Sequence, residues 1–265
     1  VRDPRVAVVT GAAGGIGRAV VEELCGHGFI VEAIDNAGRT TLEESATVPL
    51  GDWDALAELI SRYPEQVSGH DVDVTNLDAL RRVCEHAVST HGKLDVCVAA
   101  AAAIDGGHPL WEMSPAAFGA LCEVNITGVW NAMAVSVPHM LRNPSPHDSR
   151  FVAIASAAAH TGLFGLAAYG ATKHAVVGLV QGLAADLIGT GITAVAVSPG
   201  ATRTRMLERT ASLYGFAEVD EFGRANKLQR ILEPEEVAKT VVFCCSPEAG
   251  ILNGSVVLAA GGVST

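Results

Sequence analysis

Aromatic side chains are scarce in this sequence: Phe, Tyr and Trp together supply 13 of 265 residues. Apolar types still make up 49% of the chain, so its core must be aliphatic, and a disordered chain is excluded. Positive charge is also in short supply. Lys and Arg total 18 against 29 Asp and Glu, a formal net charge of −11, which argues against a surface that tracks nucleic-acid phosphates. Long hydrophobic runs are missing as well. The charge-free stretch 96–104 (VCVAAAAAI) falls far short of the ~20 apolar residues that cross a bilayer, so no membrane span is expected. The first residues, VRDPRVAVVTGAAGG, show no basic region followed by an apolar stretch and a cleavage site, and no secretory signal is expected. Six cysteines lie in apolar periodic segments without a C-x-x-C or Cys/His spacing; they read as buried reduced thiols and predict a cytoplasmic protein. Nine histidines contain no H-x-x-x-H pair, and no metal site is expected.

What is present is alternation. Short runs rich in Val, Ile and Ala at 6–10, 29–35, 67–73, 94–100, 150–155, 192–198 and 255–260 alternate with helical patterns. Strands apolar on both faces belong in a parallel sheet covered on both sides. The pattern predicts a single-domain Rossmann fold over 1–265: a doubly wound, parallel, seven-stranded α/β sheet with helices on both faces. Two stretches exceed what the alternation needs, an inserted segment at about 36–66 and an excursion at about 203–230, and such excursions are often lids or binding loops.

The first strand runs into TGAAGGIG (10–17), then a helix, then a strand ending at Asp35. Gly11 permits a tight turn, Gly15 lets backbone approach a pyrophosphate, and Gly17 allows close packing of helix on strand; the helix N-terminus offers N–H groups to phosphates. Asp35 can accept from ribose hydroxyls and repel a 2′-phosphate, which favours NAD over NADP. Asp35 could instead cap the turn before Asn36, and Arg39 could restore NADP binding. Asp73 and Val74 are placed to hold the adenine, or Asp73 caps the helix beginning near Leu77. Residues 43–73 carry eight acids against one base, Arg62, so most of the negative charge falls on this half of the proposed site and further disfavours NADP.

YGATKHAVVGLVQGL (169–183) puts Tyr169 and Lys173 four residues apart on one helix face, where an ammonium would lower the phenol's pKa toward a useful range. Ser156 ends the strand RFVAIAS at the sheet edge, where its hydroxyl can hold a substrate oxygen. With these motifs, the chain resembles the short-chain dehydrogenase/reductase family over nearly its whole length: TGAAGGIG, YGATK, SPG (198–200) and Asn125 in VNITGVW match the family's pattern. The resemblance implies hydride transfer between a nicotinamide and a carbinol or carbonyl carbon, with Tyr169 as acid/base, Ser156 positioning the substrate oxygen, Lys173 on the nicotinamide ribose, and Asn125 holding a relay water. It also implies a cofactor-binding set of Gly11, Ala13, Gly15, Ile16, Gly17, Asp35, Asp73, Val74, Ala100, Ala101, Tyr169, Lys173, Pro199, Gly200, Thr202 and Thr204. The two threonines could instead cap the next helix. One departure stands out: the family's NNAG is AAAA at 99–102, so that corner must be held differently.

The segment 36–66, AAAAIDGGHPLWEM (100–113), SPGATRTRMLERTASLYG (198–215) and LEPEEVA (232–238) are similar to the mycofactocin-associated branch of the family. That resemblance implies tightly held NAD recycled by mycofactocin, with the helix containing Trp53, Leu56, Leu59 and Ile60 covering the cofactor; core packing explains the same apolar stripe. Trp111, Leu163, Phe164, Met206, Leu207, Leu213, Tyr214 and Phe216 predict an apolar mouth without clustered Arg or Lys, suited to a neutral, fairly hydrophobic alcohol or carbonyl compound. Alternatives are a 3-oxoacyl-thioester reductase with exchanging cofactor, an epimerase or dehydratase, and a silent nucleotide sensor. A homotetramer is implied by the family, through helices at 115–141 and 169–188 and the C-terminal strand.

Overall fold

Both faces of the central strands are buried, as their unbroken apolar runs require. A computed structural model describes residues 3–36 and 53–262. Its strands are β1 (Val6–Thr10), β2 (Ile30–Asp35), β3 (Val67–Asp71), β4 (Val96–Ala99), β5 (Arg150–Ile154), β6 (Thr193–Pro199) and β7 (Val256–Ala259). All seven are parallel, in the order β3-β2-β1-β4-β5-β6-β7. The direction of winding reverses between β1 and β4, which opens a crevice at the carboxyl ends of those strands. The expected single-domain α/β Rossmann sheet is therefore what the chain forms.

The helices are α1 (Gly15–Gly26), α2 (Trp53–Arg62), α3 (Leu77–His91), α4 (Pro115–Cys122), α5 (Gly128–Met140), α6 (Ala167–Asp186), α7 (Arg205–Tyr214) and α8 (Pro234–Cys244). Val20, Leu24, Leu56, Leu59, Val237 and Val241 pack on one face of the sheet. Leu80, Val83, Leu121, Met133, Val176 and Val180 pack on the other. Cys25, Cys84, Cys97, Cys244 and Cys245 are buried free thiols, and burial pushes each of them up from its ordinary pKa.

The structure adds to one expectation, on long apolar segments, and corrects another. Helices α4 and α5 are joined by a π turn (Glu123–Thr127) into one rod, Pro115–Met140, whose 26 residues are long and apolar enough to cross a membrane. Charge-free runs alone missed it. More than half of its most apolar window is buried in the protein, against α3, α6 and the sheet, and that packing accounts for its composition. The correction concerns α2. Leu56 and Leu59 are fully buried, and Gly69 of β3 leaves room for Ile60 and Leu56, so the stripe is core. Only Ala55 of this helix reaches the cavity described below, while Trp53 is largely exposed. Residues 37–52, including Arg39, Glu43, Glu44 and Asp52, lie outside the described residues.

Candidate active site

The turn after β1 exists because three positions carry no side chain. Gly11 has φ +70°, and a Cβ there would lie 2.7 Å from the Ala101 nitrogen. A Cβ on Gly15 would meet the Thr204 methyl at 2.3 Å, and one on Gly17 would meet the Gly11 carbonyl oxygen at 2.0 Å. Gly17 thus serves the fit of the first helical turn against its own loop, where packing of helix on strand was expected. Helix α1 begins at Gly14 with no side-chain cap, and Gly15, Ile16 and Gly17 border a cavity of about 870 Å³. An uncapped first turn presents its N–H groups and the positive end of the helix dipole, a cradle suited to a pyrophosphate.

Asp35, buried at the end of β2, accepts from the Ala13 N–H and the Asn36 N–H at 2.9 Å each. Its carboxylate therefore braces the glycine loop and caps the Asn36 turn, and each oxygen keeps a further lone pair on the cavity side. Burial raises its pKa, opposed by those two N–H groups. Asp73 accepts from Thr75 through both backbone and hydroxyl, at 2.8 and 2.7 Å. It does not cap α3. Asn76 does, accepting from the Ala79 N–H. Val74 lies against Gly128, and the buried Asn131 donates to its carbonyl at 2.8 Å. Asn131 escaped sequence reasoning because nothing in the spacing separates a helix-interior Asn from a surface one.

The AAAA corner is held by Thr10, whose hydroxyl accepts from the Ala100 and Ala101 N–H groups at 3.2 and 3.3 Å. Asn125 holds the next stretch, accepting from the Ala103 N–H (2.7 Å) and donating to the Ala103 carbonyl (3.0 Å) and to the Thr172 hydroxyl (2.9 Å). Both amide hydrogens are used, the side chain is fully buried, and Asn125 does not line the cavity. It ties the 100–104 segment to α6. Asn125→Ala is expected to lower stability by on the order of 2–3 kcal/mol in urea unfolding, because it strands buried backbone groups. A loss under about 0.5 kcal/mol, typical of a surface site, would sink this reading.

Ser156, Tyr169 and Lys173 meet on the cavity wall. Ser156 lies two residues beyond the end of β5 and caps a short 3₁₀ turn, accepting from the Ala158 N–H at 3.1 Å. Tyr169 is buried, and burial pushes its phenol up to about 12, a hydrogen bond with Ser156 opposing that rise. Lys173 is fully desolvated, which brings its amine down to about 8; its Nζ donates to the Ile154 carbonyl at 2.8 Å and stands 5.8 Å from the centre of the Tyr169 ring. The expected acidification of Tyr169 by Lys173 is therefore not present in this arrangement, since burial outweighs the distant ammonium. Pro199, Gly200, Thr202 and Thr204 border the same cavity. Thr202 donates to the Gly200 carbonyl, and Thr204 caps α7 through the Leu207 N–H.

The mouth differs from expectation in detail. Leu163, Met206, Leu207, Tyr214 and Phe216 line the cavity, joined by Ile104, Leu166 and Phe222. Trp111 (84% exposed), Phe164 (86%) and Leu213 do not line it. Tyr214, Phe216 and Phe222 form a ring cluster with centroids 5.0–5.9 Å apart, and the Tyr214 hydroxyl donates to the Phe164 carbonyl at 2.6 Å. Arg205 and Arg224 also border it, as does Arg18, which pairs with Glu22 and Glu58. His160 sits 2.9 Å from Ser198 and outside the cavity wall.

Comparison with known proteins agrees with this geometry. The family model described as enoyl-(acyl carrier protein) reductase matches residues 11–264. The chain is 32% identical to the short-chain reductase protein NovJ of Streptomyces niveus, covering 97% of this chain and 93% of that one. Among solved structures it resembles a short chain dehydrogenase from Mycobacterium paratuberculosis bound to NAD (TM-score 0.86, 27% identity, 98% of each chain). It also resembles carveol dehydrogenase from Mycobacterium avium in complex with NAD (TM-score 0.87, 25% identity, 98% of each chain). A glycine cradle, a Ser-Tyr-Lys wall and these matches lead to one conclusion: the chain belongs to the short-chain dehydrogenase/reductase family.

Proposed function

We propose that the protein is an NAD-dependent oxidoreductase that interconverts a neutral, fairly hydrophobic alcohol and its ketone or aldehyde, with Tyr169 as the acid/base. The observation that carries this reading is that Ser156 and Tyr169 stand on the wall of the cavity into which the glycine loop opens, a wall they share with Leu163, Met206 and the Tyr214–Phe216–Phe222 cluster. Gly11, Gly15, Ile16 and Gly17 would cradle the pyrophosphate. Asp35 would take the adenosine ribose on its free lone pairs, where its charge repels a 2′-phosphate. Asp73, Val74, Ala100 and Ala101 would border the adenosine, and Pro199, Gly200, Thr202 and Thr204 the nicotinamide end. When bound, the nicotinamide supplies the hydride donor or acceptor. Ser156 hydrogen-bonds the substrate oxygen, Tyr169 gives or takes its proton, and the Lys173 amine holds the ribose and the electrostatics of the phenol.

The buried phenol sets the pH dependence. Oxidation needs the deprotonated Tyr169, whose share grows about tenfold per pH unit below a pKa near 12, whereas reduction needs the protonated form already present. Oxidation rates are expected to climb from about pH 7 to about pH 9 while reduction stays flat. Initial rates in both directions check this; a flat oxidation limb with a falling reduction limb would overturn the acid/base assignment.

Within this reading, the cofactor stays bound, its reduced form is reoxidised by mycofactocin, and the 203–230 excursion closes over the substrate. The exposed Phe118, Trp130 and Leu141 along the α4–α5 rod, and Leu258 of β7, are surfaces on which a homotetramer would pair. Absorbance and mass analysis of the purified protein, then alcohol oxidation with an artificial acceptor and with free NAD, decide between retention and exchange. Co-purified NAD(H) and turnover only with the artificial acceptor are expected. Cofactor-free protein that turns over with added NAD would exclude retention, and activity confined to acyl thioesters would exclude the neutral substrate.

A further inference from the structure

Away from the cavity, the fold assembles four residues that no local spacing connects. Glu32 lies in the middle of β2 with its side chain fully buried, on the sheet face that α3 covers. His70 of β3 places Nε2 2.5 Å from Glu32 Oε2. His86 of α3 places Nδ1 3.2 Å from Oε1, and His91, at the end of the same helix, places Nε2 3.5 Å from that oxygen. The ligand atoms of Glu32, His70 and His86 all lie within 4.8 Å of one another. His91 Nε2 is shut off from solvent and has no hydrogen-bond partner of acceptable geometry, while it points at the cluster.

A buried carboxylate needs charge or hydrogen-bond compensation, and leaving it unpaired is costly. Among the described residues, the ion-pair partners of Glu32 are these three histidines and no Lys or Arg. A fixed cation would be the simpler solution if neutralisation were the whole task. Imidazoles differ from Lys and Arg in offering nitrogen lone pairs. Two or three imidazole nitrogens with one carboxylate oxygen suit Zn²⁺, Co²⁺ or Ni²⁺, whereas Mg²⁺ and Ca²⁺ prefer sets made of oxygen. Ligand atoms of a tetrahedral Zn²⁺ site stand about 3.3 Å apart around bonds of about 2.0–2.1 Å, so side-chain adjustment is what the cluster needs: the Glu32–His70 pair at 2.5 Å opens and separations beyond 3.3 Å close. His86 is half exposed, which gives an ion a way in from solvent.

We propose that Glu32, His70 and His86, with His91 completing the set, form a binding site for a divalent transition ion of the Zn²⁺ class. The ion would clip together β2, β3 and α3. Glu32 and His70 each precede by three residues an acid that borders the cavity, Asp35 and Asp73, so the clip would stiffen the adenosine edge without entering the chemistry. The sequence expectation of no metal site rested on helical His pairs, and it could not see a set drawn from two strands and a helix.

The test uses the whole protein after treatment with EDTA. Titration with ZnCl₂ against a chromophoric chelator is expected to show one equivalent bound per chain, and the thermal midpoint is expected to rise with Zn²⁺. CoCl₂ should give visible ligand-field bands without the near-ultraviolet charge-transfer band of a thiolate complex, which distinguishes this site from the cysteines. His86→Ala is the informative variant, since His86 is half exposed and its loss leaves the core intact; the metal-free variant should melt as the metal-free parent does. Its Zn²⁺ affinity should fall at least about tenfold, and His70→Asn should act likewise. EDTA-treated protein that takes up neither ion, or stoichiometric Zn²⁺ binding that survives both substitutions, overturns the proposal. The Co²⁺ spectrum of the parent protein tests it independently of either variant, and neither outcome depends on the oxidoreductase reading.

Discussion

Replacing Tyr169 by Phe should cut turnover by at least about 10³-fold while NAD binds as before. The substitution removes one oxygen from a ring that is already buried, so shape and packing are retained. What disappears is the phenol hydroxyl beside Ser156, the group proposed to transfer the proton. General acid–base catalysis contributes about 10²–10⁴-fold in rate, and at this site no neighbour replaces it. Lys173 is tethered to the Ile154 carbonyl, and Ser156 is poor at holding a charge. Single-turnover measurements with bound cofactor and a cyclic alcohol would read the chemical step directly. Fluorescence titration with NADH would show whether binding is intact. Turnover within about threefold of the parent protein would remove Tyr169 from the mechanism; lost turnover together with lost NADH binding would point to a structural defect.

Gly17→Ala should be almost as damaging by another route. The added methyl carbon would lie 2.0 Å from the Gly11 carbonyl oxygen, with the Gly11 carbonyl carbon at 2.7 Å. Both atoms are backbone, so no rotamer change relieves the clash. Gly11 is itself confined by φ +70° and by Ala100 and Ala101 behind it. The loop must therefore rise off the helix, and with it the N–H groups proposed for the pyrophosphate, for which a displacement of about 1 Å is enough to weaken positioning strongly. NADH affinity is expected to fall at least about 100-fold. Gly178→Ala is a fitting control, because a Cβ at that position of α6 meets no atom within 4 Å. Equal NADH affinity in Gly17→Ala and the parent would show that the loop can absorb the methyl.

These two expectations also mark how much could be read from residues alone. The glycine loop, the Tyr-Lys spacing and the alternation of strands and helices were legible because each depends on short-range spacing: a turn that requires Gly, a helix face shared at i and i+4, a period of alternation. Thr10 bonding to Ala100 and Ala101, Asn125 bonding to Ala103 and Thr172, and Asn131 bonding to Val74 join segments 22 to 91 residues apart. No local pattern reports such partners. Tyr169 shows a different limit. Spacing puts Lys173 on the same helix face, but the direction of the Tyr169 pKa shift follows from burial, which is a property of the assembled fold. The apolar stripe of α2 fitted a cover and a core equally well until β3 supplied Gly69 as its seat.

The π turn at Glu123–Thr127 carries a consequence for evolution by insertion and deletion. It accommodates one residue more than a regular helix would between α4 and α5. Removing a single residue there would let the rod revert to uninterrupted α geometry with its two halves nearly in phase, because the wider turn is what takes up the surplus residue. Removing one from regular α5 would instead turn everything beyond it by about 100°. Asn125 grips Ala103 within the turn and Asn131 grips Val74 beyond it, so a deletion at 128–130 would leave the two anchors unable to engage together. The rod behaves as a two-point key whose phase survives the loss of one residue at the π turn but not in the helix that follows. Single-residue deletions at 128–130 should be far less tolerated than in the exposed turn at 144–147.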